Sequence, residues 1–289
     1  MISERSRAVL DRYALASRAL SRLSGERIAS EAGQSVEFHD FRPYQPGDEL
    51  RYVDWRVYGR TGKLFTRLFQ AERNIAVYIL LDTSPSMALG GKADYSRSVA
   101  ELLAYAAHRD AVSQVHLFDG SQSPQGRGRG HVPGAWSFID AAPVLEGAEH
   151  APSAAITRFA LSAGRRAGPG LALVVSDLFD ETSLQTSLAA LRYRGFDASF
   201  LQVMSAADLE PESSQLEIID AESGERLLVG PAEVRAYREA VGRFVAKTRA
   251  AIMQAGFRHI LLKVGGQDEN AIEQGAFAAL LRAGILVKR

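Results

Sequence analysis

From residue 75 onward, short apolar runs alternate with helical patterns, and this alternation constrains the fold more than any other feature of the chain. The runs are Ile75–Leu81, 112–118, Leu171–Ser176, 198–204 and 259–264. They have the length and β-branched content of buried strands. Between them, residues 93–108 carry Val99, Leu102, Leu103 and Ala106 on one face at helical spacing. Residues 136–145, 153–167, 182–194, 231–255 and 269–283 also read as helices, with Pro231 suited to a first turn. Repeated β–α units predict an α/β fold: a parallel sheet with helices on both faces. Two further runs, 218–220 and 226–229, flank Glu222-Ser223-Gly224-Glu225 and predict a hairpin.

Composition removes several function classes. The chain has 289 residues and no cysteine, which excludes disulfides, thiolate catalysis and Cys-based zinc sites. Lys+Arg and Asp+Glu are 34 each, so nothing in the charge points to nucleic acid as a partner. No apolar stretch approaches the roughly 20 residues that span a bilayer, so direct membrane insertion is not expected. The first residues are polar and arginine-rich, without the apolar core of a secretion signal, and the expected location is cytoplasmic.

The N-terminal part differs from the rest. Residues 1–30 read as an amphipathic helix, with Val9, Leu10, Tyr13, Leu20 and Leu23 near helical spacing and arginines between them. In residues 33–72, glycines and prolines punctuate short aromatic segments, which predicts a small β-rich subdomain with tight turns. The expected division is therefore 1–72 and 73–289. Arg42, Asp48, Arg51, Asp54, Trp55, Arg56 and Arg60 form a dense polar–aromatic set. Arg–Asp pairs and an aromatic plug, holding the subdomain in place, are its expected role.

The first clean strand runs directly into Asp82-Thr83-Ser84-Pro85-Ser86. One carboxylate and two hydroxyls then lie at the carboxyl end of a sheet strand, where α/β proteins bind ligands. Such hard oxygen donors suit Mg²⁺ or Mn²⁺. The competing reading is a helix cap, since Asp, Thr and Ser all favour a strand-to-helix turn. The second clean strand ends in Asp177. The six histidines are scattered without metal-binding spacing, and the glycine-rich 126–130 segment lacks the spacing of a phosphate loop, which makes it a flexible loop.

Asp-x-Ser-x-Ser at this place resembles the metal-ion-dependent adhesion site of von Willebrand factor A domains. Residues 37–48 (Glu-Phe-His-Asp-Phe-Arg-Pro-Tyr-Gln-Pro-Gly-Asp), 51–56 (Arg-Tyr-Val-Asp-Trp-Arg), 59–63 (Gly-Arg-Thr-Gly-Lys) and Glu72 precede that loop, and 220–225 (Asp-Ala-Glu-Ser-Gly-Glu) follow it late. In this order they resemble the bacterial family catalogued as domain of unknown function fifty-eight. Its members are von Willebrand factor A-like and commonly accompany MoxR-type AAA+ ATPases. The resemblance implies a von Willebrand factor A-like Rossmannoid sheet. It implies a metal site of Asp82, Ser84 and Ser86, with Asp177 as the later acidic position and Ser153 where the family usually carries a threonine.

The resemblance further implies a non-enzymatic, metal-dependent adaptor working with a MoxR-type ATPase on an unknown client, engaged through an acidic side chain. Two alternatives stand beside it. One is a phosphatase-like hydrolase using Asp82, although Ser84 occupies the place of that chemistry's general acid and only Asp177 and Asp180 imitate its later acidic pair. The other is a scaffold in which Asp82 merely caps a helix.

Overall fold

The computed structural model describes residues 2–16, 36–71, 75–144, 151–163, 170–180, 184–211, 216–219, 226–264 and 269–289. It divides into two compact units, Met1–Leu20 with Ile75–Arg289, and Ser21–Asn74.

In the larger unit, five strands make a parallel sheet: β4 (Ile75–Leu81), β5 (Ala111–Leu117), β6 (Leu171–Ser176), β7 (Asp197–Met204) and β10 (Arg258–Lys263). Their order is β10-β7-β6-β4-β5, so β4 and β6 lie side by side with Leu81 opposite Val175. Asp82 and Asp177 therefore leave the same edge at adjacent positions. Strand alternation sends successive side chains to opposite faces. Val77, Ile79, Leu81, Leu173 and Val175 join the core under α3 (Lys92–Ala107), α4 (Val132–Asp140) and α9 (Glu269–Arg282). Ala76, Tyr78, Leu80, Val174 and Phe200 join the opposite core under α5 (Pro152–Ala163), α6 (Gln185–Tyr193) and the end of α8 (Pro231–Gln254). Each fully buried Leu, Ile or Phe contributes about 1.5–3 kcal/mol of transfer free energy. The doubly covered parallel sheet is the expected α/β architecture.

Three local findings depart from the sequence reading, and a fourth matches it. The N-terminal helix is short: α1 covers Glu4–Leu10, capped by the Ser3 side chain. Residues Tyr13–Leu15 form β1, which pairs antiparallel with β11 (Leu286–Lys288), while Tyr13 packs edge-on against Phe277. That non-local pairing overrides a helical pattern, and it places Met1–Leu20 with the parallel sheet although the sequence grouped 1–72 together. The rest of the expected helix, 17–30, lies outside the described residues. Next, the glycine-rich segment is ordered against the sheet edge: Ser113 exchanges backbone hydrogen bonds with Gly126, and Ser123 N–H donates to the Val115 carbonyl. A short α7 (Ala206–Leu209) follows β7 with a capping box from Ser205 and Asp208. Finally, β8 (Leu216–Ile219) and β9 (Arg226–Val229) pair antiparallel as the expected hairpin, and the acidic turn 220–225 lies outside the described residues.

The smaller unit contains β2 (Val36–Pro43) paired antiparallel with β3 (Phe65–Ala71), and α2 (Trp55–Thr61) between them. Tyr52-Val53-Asp54-Trp55 reads as an aromatic segment of a β-rich unit, yet it starts this helix. Buried Asp54 accepts the N–H groups of Arg56 and Val57 at 2.9 and 3.1 Å and binds Arg67 at 2.7 Å. Asp48 binds Arg42 and accepts from Thr66 Oγ1 at 3.0 Å. Backbone N–H donors, followed by these arginines, hold both carboxyls below the usual aspartate range. The Arg–Asp anchors are thus present. Trp55 is no plug: it is 58% exposed and meets Tyr58 edge-on at 6.1 Å. Seven residues give α2 no second row with which to bury it.

The cores carry a pH dependence. His116 on β5 packs against Tyr78 and Phe159, and burial pulls its pKa down to about 4. Its neutral form contributes stability in full above the unfolded value near 6.5, and that stability is lost as pH falls towards 4. Burial pushes Asp82 and Glu101 up to about 7, which acts in the opposite direction, so a variant must isolate the histidine. Relative to wild type, His116→Gln is expected to gain up to about 3 kcal/mol as pH drops from 6.5 to 4. Urea unfolding of both proteins at several pH values tests this; a constant difference would contradict it.

Candidate functional site

The turn after β4 is built by Asp82 itself. Its Oδ1 accepts the Ser84 N–H at 2.8 Å, closing a local turn before the 3₁₀ segment Pro85–Ala88. The Ser84 hydroxyl makes no capping bond to that segment. It lies instead 3.1 Å from the Ser86 hydroxyl. The two hydroxyls bond one another, and that of Ser84 also bonds the Asp82 carboxylate. Two hydroxyl oxygens side by side, with a carboxylate two residues earlier, can share one hard cation.

Asp82 is buried, and its other oxygen accepts from Ser176 Oγ at the end of β6. Among the described residues no cation pairs with it. Burial and, next, the nearby Asp177 charge raise its pKa to about 7. Thr83 Oγ1 is buried without a hydrogen-bond partner. It lines a small cleft with Asp82, Ala93, Arg97 and Pro143.

Asp177 is held differently. Its Oδ1 accepts the Phe179 N–H at 3.1 Å, and its Oδ2 accepts from Lys92 Nζ at 2.8 Å. The adjoining backbone is fixed as well. Leu178 takes a left-handed conformation (φ 59°), rare for a side chain of its kind, while its N–H donates to Ser176 Oγ. Gln202 Nε2 donates to the Asp177 carbonyl at 2.9 Å, so its amide oxygen faces His259 Nε2 at 2.9 Å and requires a proton there. Ser153, at the start of α5, donates its N–H to Asp180 Oδ2 at 2.8 Å. Asp82, Ser84, Ser86 and Ser176 are thus one connected group, Asp177 adjoins it electrostatically, and Ser153 is tied to Asp180 on the loop after Asp177.

Lys92, Asp208, Ser176 and Gln202 are absent from the sequence-level candidates. Lys92 is 1% exposed and also approaches Asp208 Oδ2 at 3.3 Å. A signal existed: Lys92, Tyr95 and Val99 follow i, i+3, i+7 on the apolar face of α3, where a lysine needs a partner. Gly90 permits this packing. Its φ is +62°, and a Cβ there would lie 2.5 Å from Ser205 Cβ.

Among the described residues no three His, Asp or Glu side chains gather as a metal cage. A cation would rest on hydroxyls, and the donors fit one. Lys92 pairs with Asp177 and Asp208, whereas among the described residues Asp82 has no paired cation. Asp82, Ser84 and Ser86 would hold the ion, which when bound would supply an electrophilic centre for an anionic ligand.

The sheet order and the two helical layers define an α/β protein with a doubly covered parallel sheet, and the Asp-x-Ser-x-Ser turn lies at the carboxyl end of β4. The chain belongs to the family described as protein of unknown function DUF58, whose pattern matches residues 40–251. Relatives include uncharacterized protein Rv1480 of Mycobacterium tuberculosis and uncharacterized protein Mb1516 of Mycobacterium bovis. Each is 26% identical over 212 residues, 70% of this chain and 66% of the relative. The match therefore spans just under two thirds of those proteins' length. Among solved structures, an aerotolerance-related membrane protein from Bacteroides fragilis is 14% identical, covering 72% of this chain and 100% of that one, with a TM-score of 0.42. A von Willebrand factor type A protein from Catenulispora acidiphila is 12% identical, covering 77% and 45%, with a TM-score of 0.43. Among the described residues no helix is long and apolar enough to cross a membrane.

Proposed function

We propose that this chain is a non-enzymatic docking adaptor that presents Mg²⁺ or Mn²⁺ on Asp82, Ser84 and Ser86 to an acidic side chain of a protein partner. The observation that carries the reading is the pair of serine hydroxyls, 3.1 Å apart with that of Ser84 not capping the turn, beside a buried carboxylate that has no paired cation among the described residues. Mg²⁺ demands near-octahedral oxygen coordination and keeps several exchangeable positions. One carboxylate and two hydroxyls leave such positions open, and a partner's Asp or Glu fits them. The chain's residues hold and orient; none is asked to transfer a proton or form a covalent bond.

The partner in this reading is a MoxR-type AAA+ ATPase acting in the cytoplasm, with this chain coupling the motor to a client. The sequence blocks around Arg42–Asp54 and Asp82–Ser86 support that pairing. The test is binding of a MoxR-type ATPase from the same genome in Mg²⁺ and in EDTA. Association in Mg²⁺ only, lost in Ser84→Ala/Ser86→Ala, is the expected result. Association indifferent to both changes would refute metal-dependent docking. Phosphatase activity lost on Asp82→Asn would replace the adaptor with a hydrolase.

A further inference from the structure

The expected ligand set counts Asp177 among the metal's partners, yet its carboxylate already has a cation. Lys92 Nζ sits 2.8 Å from Asp177 Oδ2 and 3.3 Å from Asp208 Oδ2, with the Phe179 ring 5.3 Å away. Phe179 in turn stacks on Phe244 of α8 at 5.0 Å. Lys92 and Asp177 are buried, and Asp208 is half-buried, with 15% of its side chain exposed. Asp82, by contrast, receives neutral donors among the described residues: the Ser84 N–H, the Ser84 hydroxyl and Ser176 Oγ. The two aspartates at this sheet edge are therefore not equivalent.

We propose that Lys92 is the resident cation of this site: its ammonium, not a metal ion, neutralises Asp177, and the exchangeable ion is confined to Asp82, Ser84 and Ser86. This deepens the docking reading and rests on it for the ion alone. An ion so confined has fewer protein ligands than the five residues implied by sequence, and more of its coordination is left to a partner carboxylate. Lys92 also ties together the segments after β4, β6 and β7, so the site is shaped before any ion arrives.

The test combines a four-corner stability cycle with metal titration of the full chain. Removing one member of a buried pair strands a charge, whereas replacing both with neutral groups of similar shape is tolerated. In EDTA, Lys92→Met and Asp177→Asn are each expected to lower Tm by roughly 10 °C, and the double variant to recover most of that loss. If a single variant fails to fold, folding of the double variant gives the same answer. Calorimetric titration with MgCl₂ is then expected to give the double variant an affinity equal to that of wild type. A double variant no more stable than the singles overturns the proposal. So does loss of Mg²⁺ binding from a folded double variant when wild type binds, because Asp177 would then be a ligand. If wild type takes no Mg²⁺ while the double variant shows the recovery, the metal-docking reading fails and the role of Lys92 stands.

Discussion

Lys92→Ala is expected to destabilise the fold by about 3–5 kcal/mol, the usual consequence of breaking a buried ion pair from one side. The substitution deletes the charge and the stem together. Asp177, fully buried, keeps the Phe179 N–H as its carboxylate's one partner among the described residues, and Asp208 loses a cation at 3.3 Å. A surface lysine would give nothing comparable, since exposed pairs contribute about 0–1 kcal/mol. Chemical denaturation at pH 7.5 measures the size. A loss below about 1 kcal/mol at neutral pH would mean that the ammonium–carboxylate pair is not formed in solution.

Gly170→Ala is expected to cost about 3 kcal/mol by a different route, overpacking of backbone against backbone. Gly170 lies just before β6, and a Cβ there would stand 2.1 Å from the Ala76 carbonyl oxygen of β4. No side-chain rotation relieves that contact, so β4 and β6 must separate locally. The Gly170 carbonyl also accepts the Asp197 N–H that begins β7. Because β4 and β6 carry Asp82 and Asp177 at their carboxyl ends, the variant should weaken the site as well as the fold. Urea midpoints measure the first effect, and metal titration of the folded fraction the second. An unchanged midpoint would contradict the close approach of these two strands.

Much of the larger unit is legible in the sequence because its signals are local. Ile75–Leu81 and Leu171–Ser176 are unbroken apolar runs, and such runs form strands buried on both faces. Asp82 and Asp177 stand out because each directly follows such a run. The remainder depends on pairings between distant residues. Tyr13–Leu15 becomes a strand because Leu286–Lys288 lies beside it, and nothing within residues 1–30 announces that partner. Trp55 suggests a buried plug by residue type alone, but Asp54 caps a helix too short to cover it. The place of Lys92 on the apolar face of α3 signals that it needs a partner, but only the end of β6 and α7 show which ones, Asp177 and Asp208. Asp177 was legible as an acidic strand end, whereas its cation was not, since the pairing spans 85 positions.

Calorimetric titration of wild type and Asp82→Asn with MgCl₂ or MnCl₂ decides whether Asp82, Ser84 and Ser86 bind an exchangeable divalent cation. Saturable one-site binding is expected in wild type and is expected to disappear in Asp82→Asn, with the variant at least as stable in EDTA because a buried carboxylate is gone. Absence of binding in wild type, or equal binding in both proteins, would contradict it.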